Sequence, residues 1–178
     1  MQMMERKDGL VLKWMLGQVR RARKRLKQLN NRLMQIYEER NAPIGGVGYD
    51  PLPRGNSVGN GSATIVFKCA EVEERIYAQR AEIENAIVRV MDILDALPID
   101  SVEREVCELY YLDGKDIPQV EEEACLSRTH CYNKLKSALE YLLASPRVIE
   151  MVEANTEAYD MWCIQRDSAM EKRKGGSR

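Results

Sequence analysis

Aromatic bulk is scarce in this chain: 178 residues carry one phenylalanine and two tryptophans, so a large globular core is not expected. No apolar run reaches the roughly 18 residues that a membrane-spanning helix needs. The stretch Met1 to Lys7 is polar, and Leu10-Val11-Leu12 stops at Lys13, which leaves no signal-peptide core. A cytoplasmic protein is the expectation. The five cysteines (Cys69, Cys107, Cys125, Cys131, Cys163) are odd in number, and none forms a Cys-x-x-Cys pair. That spacing excludes a disulfide framework and a zinc ribbon. They read as small apolar residues in a reducing compartment.

Catalytic residue types are equally thin. His130 is the single histidine, and its neighbour Cys131 cannot serve it as a nucleophile, because adjacent residues of a helix face different sides. Cys125, His130 and Cys131 have no standard zinc-ligand spacing. Gly45-Gly46-Val47-Gly48 lacks the Gly-Lys-Ser/Thr ending of a phosphate loop. No enzyme, cofactor or metal is expected.

Charge, by contrast, is abundant and unevenly spread. The net charge is −1, yet residues 1–40 hold eleven Lys/Arg against four Asp/Glu, and residues 98–145 hold five against ten. A basic first arm beside acidic later segments predicts internal pairing, with positive charge left over for a polyanion.

Hydrophobic spacing supplies the architecture. Met15, Val19, Ala22, Leu26, Leu29, Leu33 and Ile36 step by four and three, the seam of a coiled-coil helix over about 10–40. Residues 41–62 break it with six glycines and three prolines. The same stepping resumes at Ile65, Cys69, Val72, Ile76, Gln79, Ile83, Ala86, Val90, Ile93 and Leu97, with Gln79 the one polar member. Ser62 is placed to cap this helix, and Pro98 ends it. Residues 10–97 therefore read as a long antiparallel coiled-coil hairpin around a Gly/Pro-rich loop at 41–62. Pairing of each helix with another copy, giving a homo-oligomer, buries the same seam.

After Pro98 the period shortens. A first helix starts at Ser101, with Val102, Val106, Leu109, Tyr110 and Leu112 as its apolar face, and stops at Asp113-Gly114. Asp116 opens a second, with Ile117, Val120 and Ala124 facing inward. Cys125-Leu126 turn, Ser127 caps, and a third runs to about Ala144 on Cys131, Leu135, Ala138, Leu139 and Leu142. This is the helix-turn-helix order, assigned to residues 98–145. Residues 146–178 read as an amphipathic helix with Val148, Val152, Tyr159 and Trp162, then a disordered basic tail from Lys172.

In a helix-turn-helix the first turn of the last helix enters the major groove of double-stranded DNA. Here that turn offers Ser127, Arg128, Thr129, Tyr132, Asn133 and Lys136. Arginine chelates guanine, asparagine chelates adenine, and hydroxyls hold phosphate. Arg20, Arg21, Arg23, Lys24, Arg25 and Lys27 on the first arm are dense enough to add backbone contacts. A solvated coiled-coil face pairing with Glu71, Glu73, Glu74, Glu82 and Glu84 is the alternative use of that arm.

The run Val102-Glu103-Arg104-Glu105-Val106-Cys107-Glu108-Leu109-Tyr110-Tyr111-Leu112-Asp113-Gly114 resembles the opening of region 4 of bacterial sigma-70 factors, and Asp116 to Leu142 continue it. The whole layout of arms, loop and terminal domain resembles the RinA-like late-transcription activators of bacteriophages. The resemblance implies an all-α fold, promoter binding and contact with host RNA polymerase to activate late or packaging genes. The chain departs from the pattern at Cys125, where such domains place glycine, and at Glu121, where they place a small residue. Two other classes share the layout: a small terminase subunit, which would form a closed ring, and an interaction protein that binds polymerase without reading DNA.

Overall fold

The computed structural model describes residues 2–41 and 60–175, and among them there is no strand. The all-α expectation holds. Seven α-helices follow in order among the described residues: α1 (Gln2–Leu16), α2 (Gln18–Asn41), α3 (Asn60–Leu94), α4 (Val102–Cys107), α5 (Ile117–Glu123), α6 (Arg128–Leu143) and α7 (Pro146–Gly175). A π-helical turn, Glu108–Leu112, extends α4. No described helix is long and apolar enough to cross a membrane.

The chain divides into two compact units, residues 1–20 with 86–178 and residues 21–85. This differs from a division into hairpin, terminal domain and last helix. The reason is one shared core. Val11, Leu12, Leu16 and Val19 from the N-terminal helices join Ala86, Val90, Ile93 and Leu94 of α3, Val106 and Cys107 of α4, the buried stripe of α6, and Val148 and Val152 of α7. α1 packs on both α6 and α7, so it buries Val11, Leu12 and Leu16 as well as the predicted Met15.

The first arm is not one helix. Gly17 separates α1 from α2, although its amide still donates to the Lys13 carbonyl at 3.0 Å. Glycine contributes no side chain to either face and is a poor helix former, which makes it the natural place for the interruption. At its start α3 begins at Asn60, so Ser62 lies inside the first turn and does not cap it. The Gly/Pro-rich stretch at 42–59 lies outside the described residues, as does the end of the basic tail, 176–178. The helix of α7 itself continues through Gly175, past the point at Lys172 where disorder was expected.

In the smaller unit α2 and α3 lie antiparallel. Tyr37 donates to Glu73 Oε1 at 2.9 Å, while Leu29, earlier in α2, lines a common cleft with Gln79, later in α3. Ala22, Leu29, Cys69, Ile76 and Gln79 are buried along this pair, and Leu26, Leu33, Val72 and Ile83 are half-buried. Glu71, one of the acids expected to pair across the arms, pairs with Arg75 of its own helix.

In the larger unit one guanidinium joins three chain segments. Arg20 donates to the Tyr110 carbonyl at 3.4 Å, to the Lys115 carbonyl at 3.2 Å and to Asp116 Oδ1 at 2.9 Å. It also lies 4.4 Å from the centre of the Tyr110 ring. Asp116 in turn caps α5, its backbone amide held by the Gln119 side chain at 3.0 Å. Arg104 ties the end of α3 to α4 in the same way, reaching Asp95 and Glu108, each at 2.8 Å. These two carboxylates raise its pKa further. At the far side Trp14 meets Tyr159 edge-on at 5.8 Å, and Lys7 pairs with Asp160.

Replacing Arg20 with alanine leaves two part-buried carbonyls without their donor, while exposed Asp116 is left to water, so it should lower stability by about 1–2 kcal/mol. Arg20→Lys should recover less than half of that, because one ammonium cannot span all three acceptors. Urea midpoints of the three proteins decide it, and an unchanged midpoint for Arg20→Ala refutes the assignment.

Candidate nucleic-acid interface

The surface of interest is built from the turn between α5 and α6. α5 ends at Ala124 and the next residue, Cys125, has φ 52°. The Leu126 amide reaches back to the Glu121 carbonyl at 3.1 Å, which closes a Schellman motif with Cys125 in the left-handed position. A residue with a Cβ in that conformation costs about 1–2 kcal/mol relative to a right-handed one. The departure from glycine read in the sequence thus falls on the residue whose backbone favours glycine.

Ser127 then starts α6. Its Oγ accepts from the His130 amide at 3.5 Å and lies 2.8 Å from His130 Nδ1. The capping geometry predicted for Ser127 is present, and it occupies the His130 ring as well. From here α6 divides cleanly into two faces. Cys131, Leu135, Ala138, Leu139 and Leu142 are all buried, as their spacing predicts. Arg128, Thr129, His130, Tyr132, Asn133 and Lys136 are exposed together with Ser127. The six residues singled out at this turn therefore share one accessible surface at the helix N-terminus. Lys136 stands 3.8 Å from Glu140, a loose and exposed pair of little energetic weight. Lys134 is different: it is held by Glu103 of α4 at 2.9 Å. That bond is the main reason the Glu103 carboxyl sits below its usual range. Glu103 accordingly contributes at neutral pH, and the contribution is lost as pH falls through its lowered pKa.

The basic residues of the first arm do not form one surface. Both terminal nitrogens of Arg20 are taken up by the internal contacts given above. Arg21 and Lys24 line a cleft of the smaller unit, together with Arg25 and Arg32. Arg23 and Lys27, spaced i and i+4, are not among its lining residues. Helical geometry thus parts a run that is continuous in sequence. Burial removes water from Arg21, which is half-buried, and lowers its pKa.

Two features escaped sequence reasoning. The π turn at Glu108–Leu112 shifts the apolar face of α4, so Cys107 and Tyr111 are buried while Val102 is exposed and Tyr110 half-buried. The five-residue step from Val106 to Tyr111 was the available signal. Arg20 had no local signal at all, since Asp116 is 96 residues away. Among the described residues no group of three His, Cys, Asp or Glu side chains is placed to hold a metal.

No protein-family model, curated protein or solved structure matches this chain.

Two measurements check the turn and the faces. Cys125→Gly should stabilise the protein by about 0.5–1 kcal/mol, the strain relieved less the entropy glycine adds to the unfolded chain. The β-branched Cys125→Val should destabilise it. A fall in stability for the glycine variant contradicts the left-handed assignment. Separately, native protein treated with a thiol reagent should label Cys125 first. Cys107, whose thiol burial pushes up to about 12, and the buried Cys131 should label only on unfolding.

Proposed function

We propose that this chain is a sequence-specific DNA-binding regulator of transcription, from a phage or prophage, that presents α6 to the major groove as the second helix of a helix-turn-helix. One observation carries the reading. The α5–turn–α6 unit exposes Arg128, Thr129, Tyr132, Asn133 and Lys136 on the first three turns of a Ser127-capped helix, while the opposite face is sealed into the core. These are side chains able to chelate base edges and hold phosphates from one helix end. The resemblance of residues 102–142 to sigma-70 region 4 supports the same use and adds a partner, bacterial RNA polymerase. Glu122 is exposed on α5 beside Glu123, which pairs with Lys115, and the acidic balance of this domain suits a basic protein surface. Arg21, Arg23, Lys24 and Lys27 would add sequence-independent attraction to DNA. In this reading α2 and α3 form the coiled-coil arm of the regulator, which acts in the host cytoplasm on late or packaging genes.

Selection of bound duplexes from a random library, run beside Arg128→Ala/Asn133→Ala, tests it. The native protein should enrich one motif and the double variant should lose it, with each missing base contact costing about 1–3 kcal/mol of discrimination. Enrichment of no motif by native protein refutes base reading. In that case the acidic face of α5 points to a polymerase-binding protein that does not read DNA.

A further inference from the structure

The smaller unit contains a cleft of about 560 Å3 between α2 and α3 whose lining is basic out of proportion to its size. Arg21, Lys24, Arg25 and Arg32 come from one face of α2, and Arg75 faces them from α3. No described carboxylate lines it. Glu71, which pairs with Arg75, is not among the lining residues, and Lys24, Arg25 and Arg32 make no ion pair or hydrogen bond with the described residues. Lys24, Arg25 and Arg32, with no carboxylate of their own, repel each other around one concavity, and that repulsion is relieved by a bound anion.

A second observation points into the same cleft. Gln79 is the one polar residue in the apolar seam of α3, 8% exposed, and its amide makes no hydrogen bond with the described residues. A polar group at a seam position costs stability; the amide atoms of Gln79 are not sealed from solvent, so they open onto the cleft that Gln79 lines. Gln79 lines the cleft, with Gln28 beside the arginines. Its amide is therefore placed to donate to an oxygen seated among five cations.

We infer that this cleft is an anion site for two or more adjacent phosphates, distinct from the α6 surface. Guanidinium groups spaced along a groove match the planar, multidentate geometry of neighbouring phosphate oxygens. Buried Gln79 supplies a fixed donor at the floor. The chemistry is shared by a free polyphosphate chain and by the phosphodiester backbone of a nucleic acid. The assignment does not depend on base reading by α6.

The test titrates the full chain calorimetrically with inorganic tripolyphosphate and, separately, with a short mixed-sequence duplex. Three variants accompany it: Arg25→Glu/Arg32→Glu in the cleft, Arg23→Glu/Lys27→Glu as a control with the same change of charge on the same helix, and Gln79→Leu. All the charged positions except half-buried Arg23 are exposed, and circular dichroism checks that the helices remain. The cleft pair should weaken tripolyphosphate binding about tenfold or more, and the control pair less than about threefold. Gln79→Leu should raise the thermal midpoint while weakening tripolyphosphate binding, two effects that a purely structural role cannot combine. Arg128→Ala/Asn133→Ala should leave tripolyphosphate binding unchanged, so this site and the promoter reading fail independently. If the duplex displaces tripolyphosphate and loses affinity in the cleft pair, the natural ligand is a nucleic-acid backbone. If it does neither, the ligand is a free polyphosphate. Equal losses of tripolyphosphate binding in the two charge-reversed pairs overturn the site, since diffuse charge then explains binding. Failure of native protein to bind tripolyphosphate also overturns it.

Discussion

The position of the α5–α6 surface depends on one guanidinium. Arg20 sits where α2 begins, and it is the only side chain described here that bonds the end of the π turn, the following connection and the cap of α5 at once. Two of its acceptors are backbone carbonyls left over where helical bonding stops, the groups that most need a partner when half-buried. Its third acceptor, Asp116, begins α5. Fixing that residue fixes the direction of a seven-residue helix, too short to hold itself in place, and α6 follows after a four-residue turn. The accessible face of α6 is therefore set from the N-terminal arm as much as from its own sequence. This also explains why residues 1–20 and 86–178 form one unit.

Two irregular backbone segments serve the same end. The π turn at Glu108–Leu112 ends in amides that reach back farther than in an α-helix, with Asp113 bonded to the Glu108 carbonyl. It turns Tyr111 inward and leaves the Tyr110 ring under Arg20. A regular helix would turn Tyr110 elsewhere and dissolve that contact. Cys125 holds the left-handed residue of the turn before α6, and Gly114, with φ 74°, holds the one before α5. Glycine is free of strain in that conformation and cysteine is not. The α5–α6 turn is thus the more strained of the two, held by the packing of Ile117 and Val120 on one side and the α6 stripe on the other.

How much of this was legible in the sequence depends on the range of the forces involved. The stripe Cys131, Leu135, Ala138, Leu139, Leu142 and the cap at Ser127 were readable to the residue, because helix period and capping act over three or four positions. The seam of α3 was readable for the same reason, down to the polar exception at Gln79. In α1 only Met15 was readable; the burial of Val11, Leu12 and Leu16 beside it was not, because the number of helices covering α1 is a property of the whole fold. Period also fails at the π turn, where one residue is inserted per turn, and at Gly17, where a helix that looks continuous is interrupted. Arg20 was legible only as a positive charge among many. Its role rests on a partner nearly a hundred residues away, which no local pattern encodes.

Charge illustrates the gap between a count and an arrangement. Residues 98–145 carry twice as many acids as bases, which reads as a poor match for DNA. In the fold Glu103, Glu108, Asp113, Asp116 and Glu123 are each engaged by a basic side chain, and one of those bases, Arg20, comes from outside the segment. Arg128 makes no ion pair with the described residues, and it stands at a helix N-terminus, where the peptide dipoles already favour an anion. The local field at α6 is accordingly more favourable to phosphate than the sum. Pairing does not remove the net negative charge, however, and at distances beyond the first contact a polyanion still meets an acidic domain. In the proposed reading, α6 would supply discrimination with few phosphate contacts. Sequence-independent affinity, which scales with the number of phosphates neutralised, would have to come from elsewhere. In that reading Lys24, Arg25 and Arg32 on α2, which make no ion pair with the described residues, would supply it.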